Sequence, residues 1–303
     1  MAATLITAKD VAELRARTGA GMMDCKKALE EAGGDMQAAV DILRKKGIAK
    51  ADKRADRAAS EGQIVISTAA DGRSAAMIEL NCETDFVGRN DEFLAVAREI
   101  ADHVAHDDGV GGLVAVGADG AYLDTPWSAD KNKTRTVGDV VKAASAKTGE
   151  KVELRRIARF AVQSGGVVGS YLHFNGKAGV LVEIAGGTGG QAVQLGKQVA
   201  EHIAAGVPQV AIAVDRDGVP PEFIERERAI FIAQAVESGK PEAIAQRMTE
   251  GRIAKLYGEV TLLGQPWVRD DKQTVGDLVR ATAKEAGQPL TVTRFVRFKM
   301  GES

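Results

Sequence analysis

Apolar positions recur at helical spacing through the start of the chain. Thr7 stands where an N-cap is needed, with Asp10 three residues on, and Val11 and Leu14 supply the first apolar stripe. Thr18-Gly19-Ala20-Gly21 interrupts the pattern. Met22, Cys25, Ala28 and Leu29 then share one face of a second helix running from about Met23 to Ala32. Gly33-Gly34 ends it and Asp35 caps a third, in which Met36, Ala39, Val40 and Leu43 face inward until Gly47. Three short helices make a core too small to be more than marginally stable alone.

Beyond about residue 61 the pattern changes to alternating strands and helices, and it is written twice. Thr136-Val137-Gly138-Asp139-Val140-Val141 recurs as Thr274-Val275-Gly276-Asp277-Leu278-Val279. Each is preceded by Pro-Trp, at Pro126-Trp127 and Pro266-Trp267. Each is followed by a basic and aromatic strand, Arg156 to Phe160 and Arg294 to Phe298. Upstream, Ala101-Asp102-His103-Val104-Ala105 echoes Ala200-Glu201-His202-Ile203-Ala204, and Ile78-Glu79-Leu80 echoes Val182-Glu183-Ile184. Such dense self-similarity predicts two related α+β subdomains. Ser164 to Ser170 reads as the link between them.

The copies differ in two places. Between the strand ending at Leu80 and the helix starting near Asp91, the first copy carries Asn81-Cys82-Glu83-Thr84-Asp85-Phe86-Val87-Gly88-Arg89-Asn90. The second copy has only Thr188-Gly189-Gly190 where the first has Thr84-Asp85-Phe86-Val87. The scaffold is kept and the acidic and aromatic pair is lost. Function concentrates in such turns, and the sister turn argues that Phe86 is not required by the fold. The other difference is an insertion, about 213–262, predicting helices from Pro220 to Ser238 and from Pro241 to about Glu259, joined at Gly239-Lys240. Phe223, Ile230, Ala233, Ala235 and Val236 are expected to face Ile244, Met248, Ile253, Leu256 and Tyr257.

Composition narrows the function classes. The chain has 303 residues, 45% hydrophobic and 27% charged, with a formal net charge of -2. That balance argues against a protein that coats nucleic acid. Arg44 to Arg57 holds seven basic and two acidic residues. Lacking interleaved aromatics or a glycine-rich loop, it reads as a solvated helical linker rather than a phosphate-binding patch. Cys25 and Cys82 lie far apart and offer no zinc spacing. Met1 to Lys9 lacks a signal-peptide core, so a reducing cytoplasm is expected.

Enzyme readings find little support. Gly187-Thr188-Gly189-Gly190-Gln191-Ala192 matches a dinucleotide fingerprint, but no acidic residue ends a second strand at the required distance. The repeat explains these glycines better. His103 and His202 occupy matching helical positions, which favours packing. His103-x-x-His106 lacks a third ligand nearby, and no nucleophile-and-base pair is evident.

The assembled motifs resemble those of the bacterial translation elongation factor Ts family along nearly the whole chain. Leu14-Arg15, then Thr18-Gly19-Ala20-Gly21-Met22-Met23-Asp24-Cys25-Lys26-Lys27-Ala28-Leu29, is similar to its N-terminal signature. Asn81-Cys82-Glu83-Thr84-Asp85-Phe86-Val87 is similar to its core signature, and Gly239-Lys240-Pro241 with Glu250-Gly251-Arg252 fits its hairpin insertion. The resemblance implies an α+β fold. A three-helix, ubiquitin-associated-like module and linker span 1–60; core subdomains 61–165 and 166–303 follow, the latter carrying the hairpin.

It further implies a guanine nucleotide exchange factor, not an enzyme, that binds GDP-bound and nucleotide-free elongation factor Tu in the cytoplasm. Thr84, Asp85, Phe86 and Val87 would form the loop that enters the GTPase domain of Tu, Phe86 acting as a wedge that disturbs its magnesium and phosphate site. Leu14, Arg15, Thr18, Gly19, Met22, Asp24 and Cys25 would form the partner-binding face of the N-terminal module. The second subdomain would contact the third domain of Tu, and Tyr171 and His173, which match a Tyr-x-His stretch in that subdomain, would lie at the interface. Self-association is expected through the hairpin. No cofactor, metal, membrane or direct nucleic-acid contact is implied. Two departures stand out. The chain ends at Ser303, so the contact made by a C-terminal helix in longer relatives is expected to be absent. Gly88 replaces a common Ala, which is expected to loosen the loop.

Overall fold

The computed structural model describes residues 6–116, 120–162 and 165–302. The chain opens with α1 (Ala8–Thr18), α2 (Met22–Glu31) and α3 (Met36–Asp52). Thr7 and Asp10 form a reciprocal capping box, and Asp35 accepts a hydrogen bond from the Ala38 N–H at 2.8 Å. Val11, Leu14, Cys25, Ala28, Leu29 and Ala39 make the core of this module.

Next come β1 (Glu61–Thr68), β2 (Ser74–Cys82), the single turn α4 (Asp85–Gly88), α5 (Asp91–Ala105), β3 (Leu113–Ala115), α6 (Val137–Thr148) and β4 (Glu153–Ala161). The rest comprises β5 (Gly166–Leu172), β6 (Ala178–Ala185), α7 (Gly190–Ala205), α8 (Pro221–Glu237), α9 (Glu242–Val260), β7 (Pro266–Trp267), β8 (Asp270–Thr274), α10 (Val275–Ala286) and β9 (Thr291–Lys299). This is the α+β architecture the repeat predicts. The chain divides into two units, one comprising the chain up to Ser67, Ile78–Ala158 and the segment from Lys299 on, the other Thr68–Met77 and Arg159–Phe298.

In the first unit the sheet order is β1-β2-β4-β3, with β3 antiparallel to β4. Ile78, Leu80, Phe93, Ile100, Leu154 and Ile157 are fully buried around it. α3 does not stop at Gly47 but continues to Asp52. The reason is packing: α3 lies on α6, and a β-carbon at Gly47 would stand 2.9 Å from the Ala146 β-carbon. That glycine admits a close helix contact instead of ending a helix. Arg44 pairs with Asp139 at 3.1 Å and Arg54 donates to the Ser145 carbonyl at 3.1 Å. The basic stretch is therefore partly a set of ties to the core.

The second unit is built on β5-β6-β9, with β5 and β6 antiparallel from Gly166↔Ala185 to Leu172↔Gly179. Gly166 to Ser170 is thus strand, not link; Ser164 lies outside the described residues. A β-carbon at Gly169 would overlap the backbone of Gly196, so these glycines let α7 lie directly on β5. α8 and α9 form the expected hairpin, and Phe223, Ala235, Ile253, Leu256 and Tyr257 lie in its seam as expected, whereas other residues expected there do not. Ile224 and Ile253 are buried with Phe223, Phe231, Leu256 and Tyr257 against them, while small Ala235, Ala245 and Thr249 fill the rest of the seam. Ile230, Val236, Ile244 and Met248 are exposed. Apolar residues on two faces of each helix defeat a single-stripe reading.

The duplication extends to polar detail. Thr136 with Asp139 and Thr274 with Asp277 form matching capping boxes, which hold the Asp277 carboxyl at a pKa of about 2, chiefly through the Thr274 hydroxyl. Glu79 takes Arg156 at 2.6 Å, and Glu183 takes Arg294 at 2.7 Å.

Candidate functional site

The corner after β2 is rigid at its base and bare at its tip. Thr84 caps α4 by accepting from the Val87 N–H at 3.4 Å, and Cys82 Sγ donates to the Thr84 carbonyl at 3.1 Å. Gly88 is buried, and a β-carbon there would meet Gly62 and Cys82 at 3.4 and 3.5 Å, an ordinary contact. Asn90 then caps α5 through the Glu92 N–H at 2.8 Å. With both flanks pinned, Phe86 points away from the core and is 84% exposed. Asp85 is half-buried beside it and pairs with Arg89 at 3.1 Å. Val87 is half-buried and Thr84 exposed.

A carboxylate clasp holds the base. Glu150 Oε2 accepts from the N–H groups of Glu83 and Thr84, both at 3.0 Å, and its Oε1 accepts from the Thr84 hydroxyl at 2.6 Å. Glu83 in turn accepts from the Lys151 N–H at 2.6 Å and pairs with Arg57 at 3.2 Å. The Lys151 bond, then Arg57, holds the Glu83 carboxyl below the usual range despite some desolvation. Nothing local in the sequence marks Glu150.

In the N-terminal module, the structure separates support from surface. Leu14 and Cys25 are wholly buried; Arg15, Met22 and Asp24 are exposed. The Thr18 hydroxyl donates to the Leu14 carbonyl at 2.8 Å, and Gly19, at φ 68°, closes α1. Arg15, Thr18, Gly19 and Met22 line one open cleft together with Glu92 and Lys147.

Tyr171 and His173 also come together. The Tyr171 hydroxyl stands 3.1 Å from His173 Nδ1, and the next ring, Phe174, lies 4.5 Å from the imidazole with 92% of its surface exposed. Phe174 escaped the sequence reading, although repeat register could have found it. Aligning Glu79 with Glu183 puts Gly72 against Gly176 and Ala70 against Phe174.

His103 and His202 are both buried packing groups. Nδ1 of each accepts the N–H of the residue after the paired tryptophan, Ser128 at 3.3 Å and Val268 at 3.2 Å. Nε2–H of His202 donates to Gln265 at 2.9 Å, whereas Nε2 of His103 has no partner among the described residues. Burial lowers both pKa values; Asp107 opposes this at His103 while His106 adds to it, and Gln265 opposes it at His202. In the sister turn, a β-carbon at Gly186 would overlap the Pro289 carbonyl, and Gly187 lies against the Gln288 amide. Gly186 and Gly187 thus serve close packing, whereas a β-carbon at Gly190 would meet nothing within 4 Å. Among the described residues, no His, Cys, Asp and Glu group is arranged to hold a metal, and no helix is long and apolar enough to cross a membrane.

A duplicated α+β core with an exposed aromatic corner and a helical module fits a translation elongation factor. A family model described as elongation factor TS matches residues 83–302. The chain is 45% identical to the elongation factor Ts of Methylococcus capsulatus over 98% of this chain and 92% of that protein. It is 46% identical to that of Thioalkalivibrio sulfidiphilus, with the same coverage of both chains. It is 43% identical to that of Prosthecochloris aestuarii, over 98% of this chain and 99% of that one. The chain belongs to the elongation factor Ts family.

Proposed function

We propose that this protein is a guanine nucleotide exchange factor for elongation factor Tu, acting in the cytoplasm and forming no covalent bond with its partner. The observation that carries the reading is Phe86, 84% exposed on a corner whose base is fixed by hydrogen bonds. A large apolar ring kept in water by a rigid support is matched to a pocket on another molecule. In this reading residues 1–60 anchor Tu through Arg15, Met22 and Asp24, supported from below by Leu14, Thr18, Gly19 and Cys25. Residues 61–165 carry the Thr84–Val87 corner, and residues 166–303 add Tyr171 and His173, with Phe174 beside them.

Magnitudes support this division. A thousandfold faster release needs roughly 4 kcal/mol of differential stabilisation, while burying one phenylalanine contributes about 1.5–3 kcal/mol. Phe86 alone falls short. Entry of Phe86 and Asp85 near the nucleotide would disturb the magnesium ion that neutralises phosphate charge, converting binding energy from the other surfaces into release. Coupling is reciprocal, so GDP must weaken binding of the factor as much as the factor weakens GDP.

Stopped-flow release of a fluorescent GDP analogue from Tu tests the reading. The rate constant should rise with factor concentration and saturate; release fixed at the unassisted rate contradicts it. The exposed Ile230, Val236, Ile244 and Met248 also support self-association through the hairpin. Sedimentation should then show a dimer that Met248→Glu weakens; a monomer at all concentrations contradicts that part.

A further inference from the structure

Glu150 follows Gly149, the left-handed residue that closes α6. Its carboxylate gathers three donors from the base of the Phe86 corner, and Glu83 completes a reciprocal pair through the Lys151 N–H, with Arg57 on the same carboxylate. Charge-assisted bonds of this kind are about twice as strong as neutral ones. The second copy provides the control. Gln288 stands at the position of Glu150, directly after Gly287 at the end of α10, and Pro289 stands at that of Lys151. Proline has no N–H, so the return bond cannot form there. The turn instead collapses, with Gly186 and Gly187 against Pro289 and Gln288. A carboxylate and a donating backbone N–H occur where the corner presents an aromatic residue, and both are missing where it does not.

We propose that Glu150 is the positioning residue of the exchange corner, fixing the backbone of Glu83 and Thr84 and so the direction in which Asp85 and Phe86 leave the surface. This rests on the exchange reading above. Thr84 caps α4, so holding its N–H and hydroxyl sets the orientation of the helical turn that bears Phe86. Glu150 touches neither of those two side chains through any of these bonds; its role is exerted through Thr84.

The test combines amide hydrogen exchange with GDP release from Tu, for Glu150→Ala, Glu150→Gln and, in parallel, Phe86→Ala. Gln keeps the size and one acceptor oxygen, which can still take the Glu83 and Thr84 N–H groups, while its amide nitrogen can donate to the Thr84 hydroxyl oxygen; it removes the charge and keeps the geometry. Glu150→Ala should speed exchange of the Glu83 and Thr84 amides about tenfold, and Glu150→Gln, which keeps an acceptor, should do so by less. The saturating rate of GDP release should fall about tenfold, because small misplacements of a working group are costly. The factor concentration giving half that rate should change less than about twofold, as expected when uniform binding is untouched. Protected amides in Glu150→Ala overturn the proposal. So do exposed amides with undiminished release while Phe86→Ala is slow. If Phe86→Ala itself releases GDP at the unaltered rate, the exchange reading fails, and amide protection still decides whether Glu150 holds the corner.

Discussion

The two halves of the core place an exposed aromatic at opposite corners. In the first half the corner after β2 carries Asp85 and Phe86, while the β1–β2 hairpin carries only Ala69-Ala70-Asp71-Gly72. In the second half the corner after β6 is glycine, while the matching β5–β6 hairpin carries His173-Phe174-Asn175-Gly176. Gly72 and Gly176 hold the same turn position, at φ 65° and 66°. Each half is thus a control for the other. Alanine suffices at one hairpin and glycine at one corner, so the fold requires neither Phe86 nor Phe174. The corners differ in how they are held: one is clasped by a carboxylate and projects a side chain, the other is closed against Pro289 and Gln288.

The largest expected effect lies in the closed corner. Gly186→Val meets the Pro289 carbonyl and occupies φ 95°, so it should lower unfolding free energy by about 3 kcal/mol or more in urea denaturation. A near-neutral result would mean that this turn is not closed by contact. Next comes Gln265→Leu. Gln265 accepts from His202 and donates to the carbonyls of Gln209 and Glu259, so its loss should cost about 2 kcal/mol, leaving His202 as orphaned as His103 already is.

Phe174→Ala should weaken Tu binding by about 1–2 kcal/mol in calorimetry, with stability unchanged within about 0.5 kcal/mol. Equal losses in both would make Phe174 a packing residue. Smaller and more gradual is the pH response. His103 and His202 have folded pKa values below the ordinary 6.5, so the unfolded chain binds protons first. Their contribution is complete above about 6.5 and declines as pH falls through the lowered folded values; His202→Phe should flatten that slope. Smallest of all, Gly88→Ala should change stability and GDP release by less than about 0.5 kcal/mol, since its β-carbon meets only ordinary contacts.

Much of this was legible from local chemistry. The capping box at Thr7 marks a helix start by the spacing of a hydroxyl and a carboxylate, those at Thr136 and Thr274 were visible only as a repeated motif, and the repeat argued that the fold does not require Phe86. Gly47 misled because glycine's freedom to end a helix and its thinness where helices touch are the same property. The hairpin seam was read in part: Phe223, Ala235, Ile253, Leu256 and Tyr257 lie in it, but Ala245 and Thr249 take places expected of Ile244 and Met248, which remain outside. Glu150 was invisible because a lone carboxylate after a helix-closing glycine acquires meaning only when folding brings it to Thr84. Phe174 was readable from the repeat, but only by carrying the register through the hairpin turn.

The central claim is that Phe86 is held out of the core to work on a partner. Measuring GDP release from Tu by Phe86→Ala, alongside its thermal unfolding, tests this most directly. The saturating release rate should fall by about ten- to a hundredfold, corresponding to roughly 1.4–2.7 kcal/mol, with a melting temperature within a few degrees of the unaltered protein. An undiminished release rate, or a loss of stability that accounts for the slower release, would contradict it.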